Sequence, residues 1–383
     1  MSLSRLVDRG LLSRGPRALH FLLGVLLLTA AGAPSCSRQT TAPPANNQTP
    51  NNNEGPRPIV EVIATGLEAP WDVAFTPDGR VFVTERDRGV VSELRDGGKG
   101  ERVEVRSFEI DSAGEGGLMG LAASPDFESD GLLYVYYTTR RDNRIVRFGL
   151  DTAPESVLTG IPSGRIHNGG RIAFGPDGLL YAATGDSGDA RISQDPTSLA
   201  GKILRMNPDG SVPDDNPRSG SLVFALGIRN AQGLAWNAAG ELYATDFGPQ
   251  VDDEINRIQP DENYGWPEVT GTSKRSEFVD AVVVRQPRVA SWSGAGFLVG
   301  GAIPQWEDHL FVAALRGERL WRFAFSATGD LTEHQAMLSG EYGRLRHVTQ
   351  APDGSLWVLT NNRDGRGSPG ADDDRILRVS GAE

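Results

Sequence analysis

Between His167 and Trp266 the chain carries five polar groups, each at the edge of an apolar run: His167-Asn168-Gly169-Gly170-Arg171, Gly185-Asp186, Arg229-Asn230-Ala231-Gln232, Gly248-Pro249 and Asp252-Asp253-Glu254. A histidine with a carboxylate to orient it is a general-base pair: Asp186 would hold one ring nitrogen of His167 as donor and free the other to take a proton. Gly169 and Gly170 beside it leave backbone room for a ligand. Arg229 follows the apolar run 223–228 and supplies a fixed positive charge for an anionic ligand or a developing oxyanion; Asn230 and Gln232 share its turn. Gly248-Pro249 set backbone carbonyls beside three carboxylates, hard oxygens of the kind that suits Ca²⁺, although the spacing is not that of an EF-hand. Further along, Arg344 and Arg346 flank Leu345, so on a strand both guanidinium groups face one side and repel unless an anion sits between them. With Arg316 they read as a carboxylate-binding cluster. Each group alone also has a plain structural reading: a packed histidine, an arginine bridging loop carbonyls, a solvated acidic turn. What decides between the readings is whether a scaffold brings the groups together.

The scaffold is written in a recurring unit: a small-Pro-Asp-Gly type of turn, then an apolar run rich in Val, Leu, Phe and Tyr, then a polar residue. Six copies occur. Pro77-Asp78-Gly79, Pro125-Asp126 and Pro176-Asp177-Gly178 open the first three, and Ala238-Ala239-Gly240, Trp306-Glu307-Asp308 and Pro352-Asp353-Gly354 the later, more worn ones. The turns recur at about 45 to 70 residues, which fits four short strands per unit plus variable loops. No stretch sustains a 3.6-residue apolar period, and 47 Gly with 24 Pro interrupt the chain too often for long helices. The spacing predicts an all-β six-bladed β-propeller with four-stranded antiparallel blades over residues 59–383. A β-sandwich would give short strands but not one turn repeated six times. In a propeller the innermost strands surround a channel, so residues distant in sequence converge at one mouth.

The N-terminus predicts export. Arg5, Arg9, Arg14 and Arg17 precede a short apolar run from Ala18 to Leu28, and small residues follow it, the pattern of a secretory signal over residues 1–35. The run is shorter than the roughly 20 residues of a membrane span. The single cysteine, Cys36, excludes an internal disulfide. Ala33-Pro34-Ser35-Cys36 is similar to a bacterial lipoprotein box, with Ala and Pro at its first two positions as departures, and Ala31-Gly32-Ala33 offers a rival cleavage site. Residues 36–58, rich in Thr, Pro, Asn and Gln, suit a disordered tether behind a lipidated Cys36, holding the protein in the periplasm or at the cell surface. The formal net charge is −12, and −15 without residues 1–35, which carry four Arg and one Asp. So acidic a chain is poorly matched to binding nucleic acid through its phosphates.

At this point the motifs resemble the soluble glucose/sorbosone dehydrogenases, especially the aldose sugar dehydrogenases that use pyrroloquinoline quinone (PQQ). The carriers are Ala69-Pro70-Trp71-Asp72 with Thr84-Glu85-Arg86, Gly116-Gly117-Leu118-Met119-Gly120 with Ser124-Pro125-Asp126-Phe127, His167 to Arg171 with Gly185-Asp186, Gly227 to Leu234, Gly248-Pro249 with Asp252 to Asn256, and Asn263-Tyr264-Gly265-Trp266-Pro267. The resemblance implies oxidation of an aldose at C1 to the lactone, by hydride transfer to PQQ held at the channel mouth. His167 would be the base, Asp186 its orienter, and Arg229 the stabiliser of charge on the quinone. Asn230, Gln232, Arg316, Arg344 and Arg346 would hold the cofactor, and Glu115 would meet the sugar. The backbone carbonyls of Gly248 and Pro249 would bind Ca²⁺, with the side chains of Asp252 and Asp253 as supports behind them rather than direct ligands, and Tyr264 in the metal set. The partners implied are a small aldose and an external electron acceptor, with the protein a monomer or dimer. Four positions depart from the family: Arg316 replaces a Lys, Glu115 a Gln, Asn361 stands near a usual Asp, and residues 285–289 lack the aromatic that covers PQQ, leaving Trp292 as the nearest candidate. The rival functions are a calcium-dependent propeller lactonase, to which an arginine cluster would be of no use, and a non-catalytic extracellular binding propeller.

Overall fold

The computed structural model describes residues 58–381. Its strands form six four-stranded antiparallel sheets arranged as the blades of a propeller. Blade one spans strands Pro70–Phe75, Val81–Glu85, Val90–Leu94 and Arg102–Ser107. Blade two begins at Leu118–Ala123, blade three at Arg171–Phe174, blade four at Ala231–Trp236 and blade five at Trp292–Leu298. Blade six takes Leu345–Gln350, Leu356–Thr360 and Ile376–Ser380, and is completed by Ile59–Ala64, the first strand of the body, paired as Ile59 with Ser380. The signal, the Cys36 anchor and the tether fall outside the described residues, except for Pro58. Among the described residues the only α-helix is Phe127–Asp130, and no helix is long and apolar enough to cross a membrane.

All six recurring turns occupy one joint, between the first and second strands of their blades. The reason is local. In Thr76 to Arg80, the Asp78 carboxylate accepts the Arg80 amide while Gly79 takes a positive φ of 84°, which closes the hairpin without a Cβ clash. Each of the six buried apolar clusters fills one gap between neighbouring blades. Tyr134 and Ile145 of blade two, for example, pack on Leu180 and Leu204 of blade three. Blades are therefore held face to face by burial on both sides, and Leu356–Thr360 is buried at every residue.

At the axis the six innermost strands meet through a polar hub. Asp72 of blade one accepts the Leu121 amide of blade two at 2.9 Å, is ion-paired with Arg171 of blade three, and faces His347 Nε2 of blade six at 3.2 Å. Arg171 Nε donates to Gln232 O of blade four at 2.9 Å, and Ser293 Oγ of blade five donates to Gln232 Oε1 at 3.0 Å. Blade five passes close because it presents Gly294: a Cβ there would stand 2.0 Å from His347 Nδ1.

The ring is clasped by Asp374, which is fully buried. Its carboxylate accepts Ala69 N at 3.2 Å, Arg363 N at 3.2 Å, Thr360 Oγ1 at 3.1 Å and Asn362 N, joining blade six to the segment that enters blade one. Replacing it with alanine would orphan four donors. At about 1 kcal/mol for each donor left unpaired, Asp374→Ala should lower unfolding free energy by about 4 kcal/mol. Urea denaturation checks this, and an unchanged midpoint would remove Asp374 as the clasp.

Candidate active site at the channel mouth

The sequence motifs converge on a cavity of about 460 Å³ at one end of the channel. His167, Arg229, Asn230, Gln232, Gly248, Pro249, Asp253, Arg316, Arg344, Arg346 and Glu115 all line it. His167 sits between blades two and three with φ +57°, and its backbone N–H donates to Glu115 Oε2 at 2.9 Å, which holds that conformation. Its Nδ1 lies 2.6 Å from Asp186 Oδ1. Asp186 is 1% exposed. Burial alone would push its carboxyl up, but the hydrogen bonds from His167, Gly188 and Trp266 outweigh burial and hold it below the usual range. The ionised carboxylate accepts a hydrogen bond from Nδ1–H, which leaves Nε2 as the nitrogen without a proton in the neutral ring.

Gly169 and Gly170 serve packing rather than a ligand. Both have positive φ, and added Cβ atoms would press on Ala183 O at 2.5 Å and Met119 Sδ at 2.8 Å.

Asp246 anchors the next pair. Its two oxygens accept Arg229 N at 2.8 Å and Asn230 N at 2.6 Å, and Arg229 Nη1 donates to Phe247 O at 2.9 Å. Arg344 and Arg346 do share an anion, and the chain itself supplies it. Asp364 Oδ2 receives Arg344 Nη2 at 2.8 Å and lies 3.8 Å from Arg346 Nη2. Asn361, read from the sequence as a lost carboxylate, instead donates to this one at 2.7 Å. Arg346 Nη1 reaches Gln232 Oε1 at 2.8 Å. Even so, burial together with the neighbouring Arg86, Arg344 and Arg171 depresses the Arg346 guanidinium to about 9, against which Asp364 works.

The cavity lining holds six arginines against three carboxylates, an excess of three positive charges in an acidic chain. Buried Nε atoms of Arg229 and Arg346 have no partner. Such a lining fits a small polyanion like PQQ. For Ca²⁺ the donors are different. Among the described residues no three His, Cys, Asp or Glu side chains cluster to hold a metal, so the fit rests on the Gly248 and Pro249 carbonyls beside Asp253. Asp253 is committed to backbone, accepting Gly248 N at 2.8 Å and Ser291 N at 2.6 Å, which makes it a support of that loop.

Two sequence expectations are corrected, and a third residue, Asp252, lies outside the cavity lining. Tyr264 is core: its hydroxyl donates to Arg257 O at 2.7 Å and accepts Gln259 N at 2.9 Å, away from the cavity lining. Asp252 turns to Thr270 Oγ1 at 3.1 Å instead of lining the cavity. Trp292 is fully buried against Phe323, so on that side the lining is Pro287 and Ser291. Sequence reasoning also missed Asp364 and Arg366, both on the loop between Thr360 and Ile376. Arg366 Nη2 donates to Glu115 Oε1 at 3.0 Å across the mouth.

Fold and site together define a propeller with a carboxylate-oriented histidine in an arginine-rich mouth. The chain belongs to the glucose/sorbosone dehydrogenase family: the sequence profile described as Glucose / Sorbosone dehydrogenase matches residues 67–377. It is 32% identical to the aldose sugar dehydrogenase YliI of Escherichia coli over 80% of this chain and 91% of that one. Its fold superposes with TM-score 0.79 on the PQQ-bound aldose sugar dehydrogenase of Streptomyces coelicolor, at 45% identity over 85% of this chain and 99% of that one. The quinoprotein glucose dehydrogenase B of Acinetobacter calcoaceticus is 28% identical over 79% of this chain and 85% of its own length.

Behind the Gly248 loop, Glu254 is buried, and burial first, then the nearby Asp246 and Asp252, raise its carboxyl to about 8. A carboxylate whose pKa is higher folded than unfolded stabilises the fold fully below the unfolded value near 4.3, and that contribution is lost as pH climbs through 8. The cofactor-free protein should therefore lose thermal stability between about pH 5 and 8. Glu254→Gln should flatten that slope in thermal unfolding; an unaltered slope would show that Glu254 does not carry a proton in the fold.

Proposed function

We propose that the protein is a PQQ-dependent sugar dehydrogenase that oxidises aldoses at C1 to the lactone, with Ca²⁺ as a second cofactor. The observation that carries this reading is the His167–Asp186 dyad opening onto a cavity with an excess of three arginines. When bound, PQQ supplies the two-electron acceptor for hydride from C1, and Ca²⁺ anchors and polarises it. The protein's own part is positioning and proton transfer. His167 Nε2 takes the proton of the C1 hydroxyl, Asp186 holds the ring in the productive tautomer and steadies the imidazolium, and Arg229 lends positive charge beside the acceptor.

Arg316, Arg344 and Arg346 receive the cofactor's carboxylates, Asn230 and Gln232 line its bed, and the carbonyls of Gly248 and Pro249 hold the calcium. Glu115 faces the sugar. The Streptomyces relative, described as PQQ-bound, supports the cofactor, and the relatives described as aldose or glucose dehydrogenases support the substrate class. A lactonase would meet a neutral ester and have no use for the arginine excess. The same reading has the chain exported by residues 1–35 and held by a tether, lipidated at Cys36, so that electrons pass to an acceptor outside the cytoplasm.

Purified protein given PQQ and Ca²⁺ should reduce an artificial dye in the presence of aldoses. A folded protein that reduces no dye with any sugar of a broad panel sinks the proposal. In the same assay His167→Ala should lower turnover by at least about a hundredfold while PQQ still binds. Full activity in that variant would remove His167 as the base.

A further inference from the structure

We infer that Trp266 is a positioning residue of this site, coupling the base pair to Arg229 through one indole. The inference rests on the reading of His167 as the base. Trp266 does not line the main cavity and stands in the loop between Asp253–Ile258 and Val283–Arg285 of blade four. Its indole N–H donates to Asp186 Oδ2 at 2.9 Å, the oxygen that does not face His167. Over the same ring lies the Arg229 guanidinium, its carbon 5.2 Å from the ring centre. One rigid side chain thus touches the orienting carboxylate by its edge and the cation by its face.

The indole is itself held in place. The Trp266 backbone N–H donates to Gly227 O at 3.0 Å, and its backbone carbonyl accepts Gln194 Nε2 at 2.7 Å. Gln194 and Asn263 exchange side-chain hydrogen bonds at 3.0 and 2.8 Å, locking this loop to blade three. Gly227 allows the approach, since a Cβ there would stand 2.2 Å from Asn263 Oδ1.

The consequence for Asp186 is geometric. The Gly188 amide binds Oδ1 at 2.8 Å and the indole binds Oδ2, so the carboxylate cannot turn and presents one fixed oxygen to His167 Nδ1. Take the indole donor away and the carboxylate loses a partner for its negative charge. It becomes more basic and holds the imidazolium more tightly. The other charged groups near the dyad are Glu115 at the His167 backbone, Arg366 beyond it, Arg229, and Asp246 beneath Arg229. A change confined to the indole nitrogen leaves them all in place.

Trp266→Phe keeps an aromatic ring under Arg229 and removes the donor along with the indole's second ring; Trp266→Leu removes donor and aromatic face together. In the cofactor-free protein, an NMR titration of the labelled His167 ring should show its midpoint moving up by roughly half a unit or more in Trp266→Phe. An unmoved midpoint overturns the inference. With PQQ and Ca²⁺ added, Trp266→Phe should lower kcat about tenfold, leave KM for the aldose within about twofold, and shift the acid limb of the kcat profile to higher pH. Trp266→Leu should in addition weaken PQQ binding. Equal losses of thermal stability in both variants with a wild-type pH profile would leave Trp266 a packing residue and also overturn the inference. Should Trp266→Leu not fold, the phenylalanine variant decides alone. A shifted NMR midpoint in a protein that oxidises no sugar would sink the proposed function and leave the coupling standing.

Discussion

The structure depends on an ion pair at the axis of the ring. Asp72 and Arg171 are both about 2% exposed, and two charges so deeply buried are costly unless every remaining donor and acceptor is used. Here the Asp72 carboxylate also takes the Val73 and Leu121 amides and faces His347, and Arg171 lies 4.1 Å over the Trp71 ring while donating through Nε to Gln232 O. Arg171 Nη2 and His347 Nδ1 stay buried without a hydrogen-bond partner, so the pair carries part of its burial cost uncompensated. Apolar gaps between blades would be satisfied by many angular arrangements. The hub is not, because it reaches its partners only when all six innermost strands arrive at one radius and height. The hub also sits directly under the site: Gln232, whose backbone oxygen takes Arg171, uses its side chain to hold Arg346 at the cavity floor.

This dependence explains which parts of the molecule were legible in the sequence. The repeated turn was, because Asp-to-backbone bonds and glycine's positive φ are properties of four or five consecutive residues. His167, Asp186 and Arg229 were, because each lies near the edge of an apolar run: His167 shortly before Arg171–Phe174, Asp186 and Arg229 shortly after Leu180–Ala183 and Val223–Leu226. The resemblance of motifs then offered a role for each. Tyr264 was misplaced because its motif serves two ends: Asn263 and Trp266 face the site through Gln194, Asp186 and Arg229, while the tyrosine between them turns into the core. Trp292 was misplaced because proximity in sequence says nothing of which face of an innermost strand a side chain takes.

Asp364 and Arg366 were beyond reach for a different reason. The loop that carries them has no periodicity, and its Gly and Asp residues read only as a turn. Its place is set by contacts made far away in sequence: Asp374 pins its end to Ala69, and Arg344 with Arg346 draw Asp364 inward. No local pattern encodes such a position.

Those late residues matter to the electrostatics. A mouth lined with arginines would push its own blades apart if nothing neutralised it, and Arg346 shows the strain in a guanidinium held down to about 9. Asp364 and Glu115 answer at two points, the first bridging Arg344 and Arg346, the second meeting Arg366. Each internal pair lowers the repulsion without cancelling it, so the fold is stable with the cavity open while an excess of positive charge remains directed into it. A site neutralised completely would gain little from an anion, and one not neutralised at all would not close. The remaining excess gives a polyanionic ligand an electrostatic attraction to the mouth while the scaffold still closes without it.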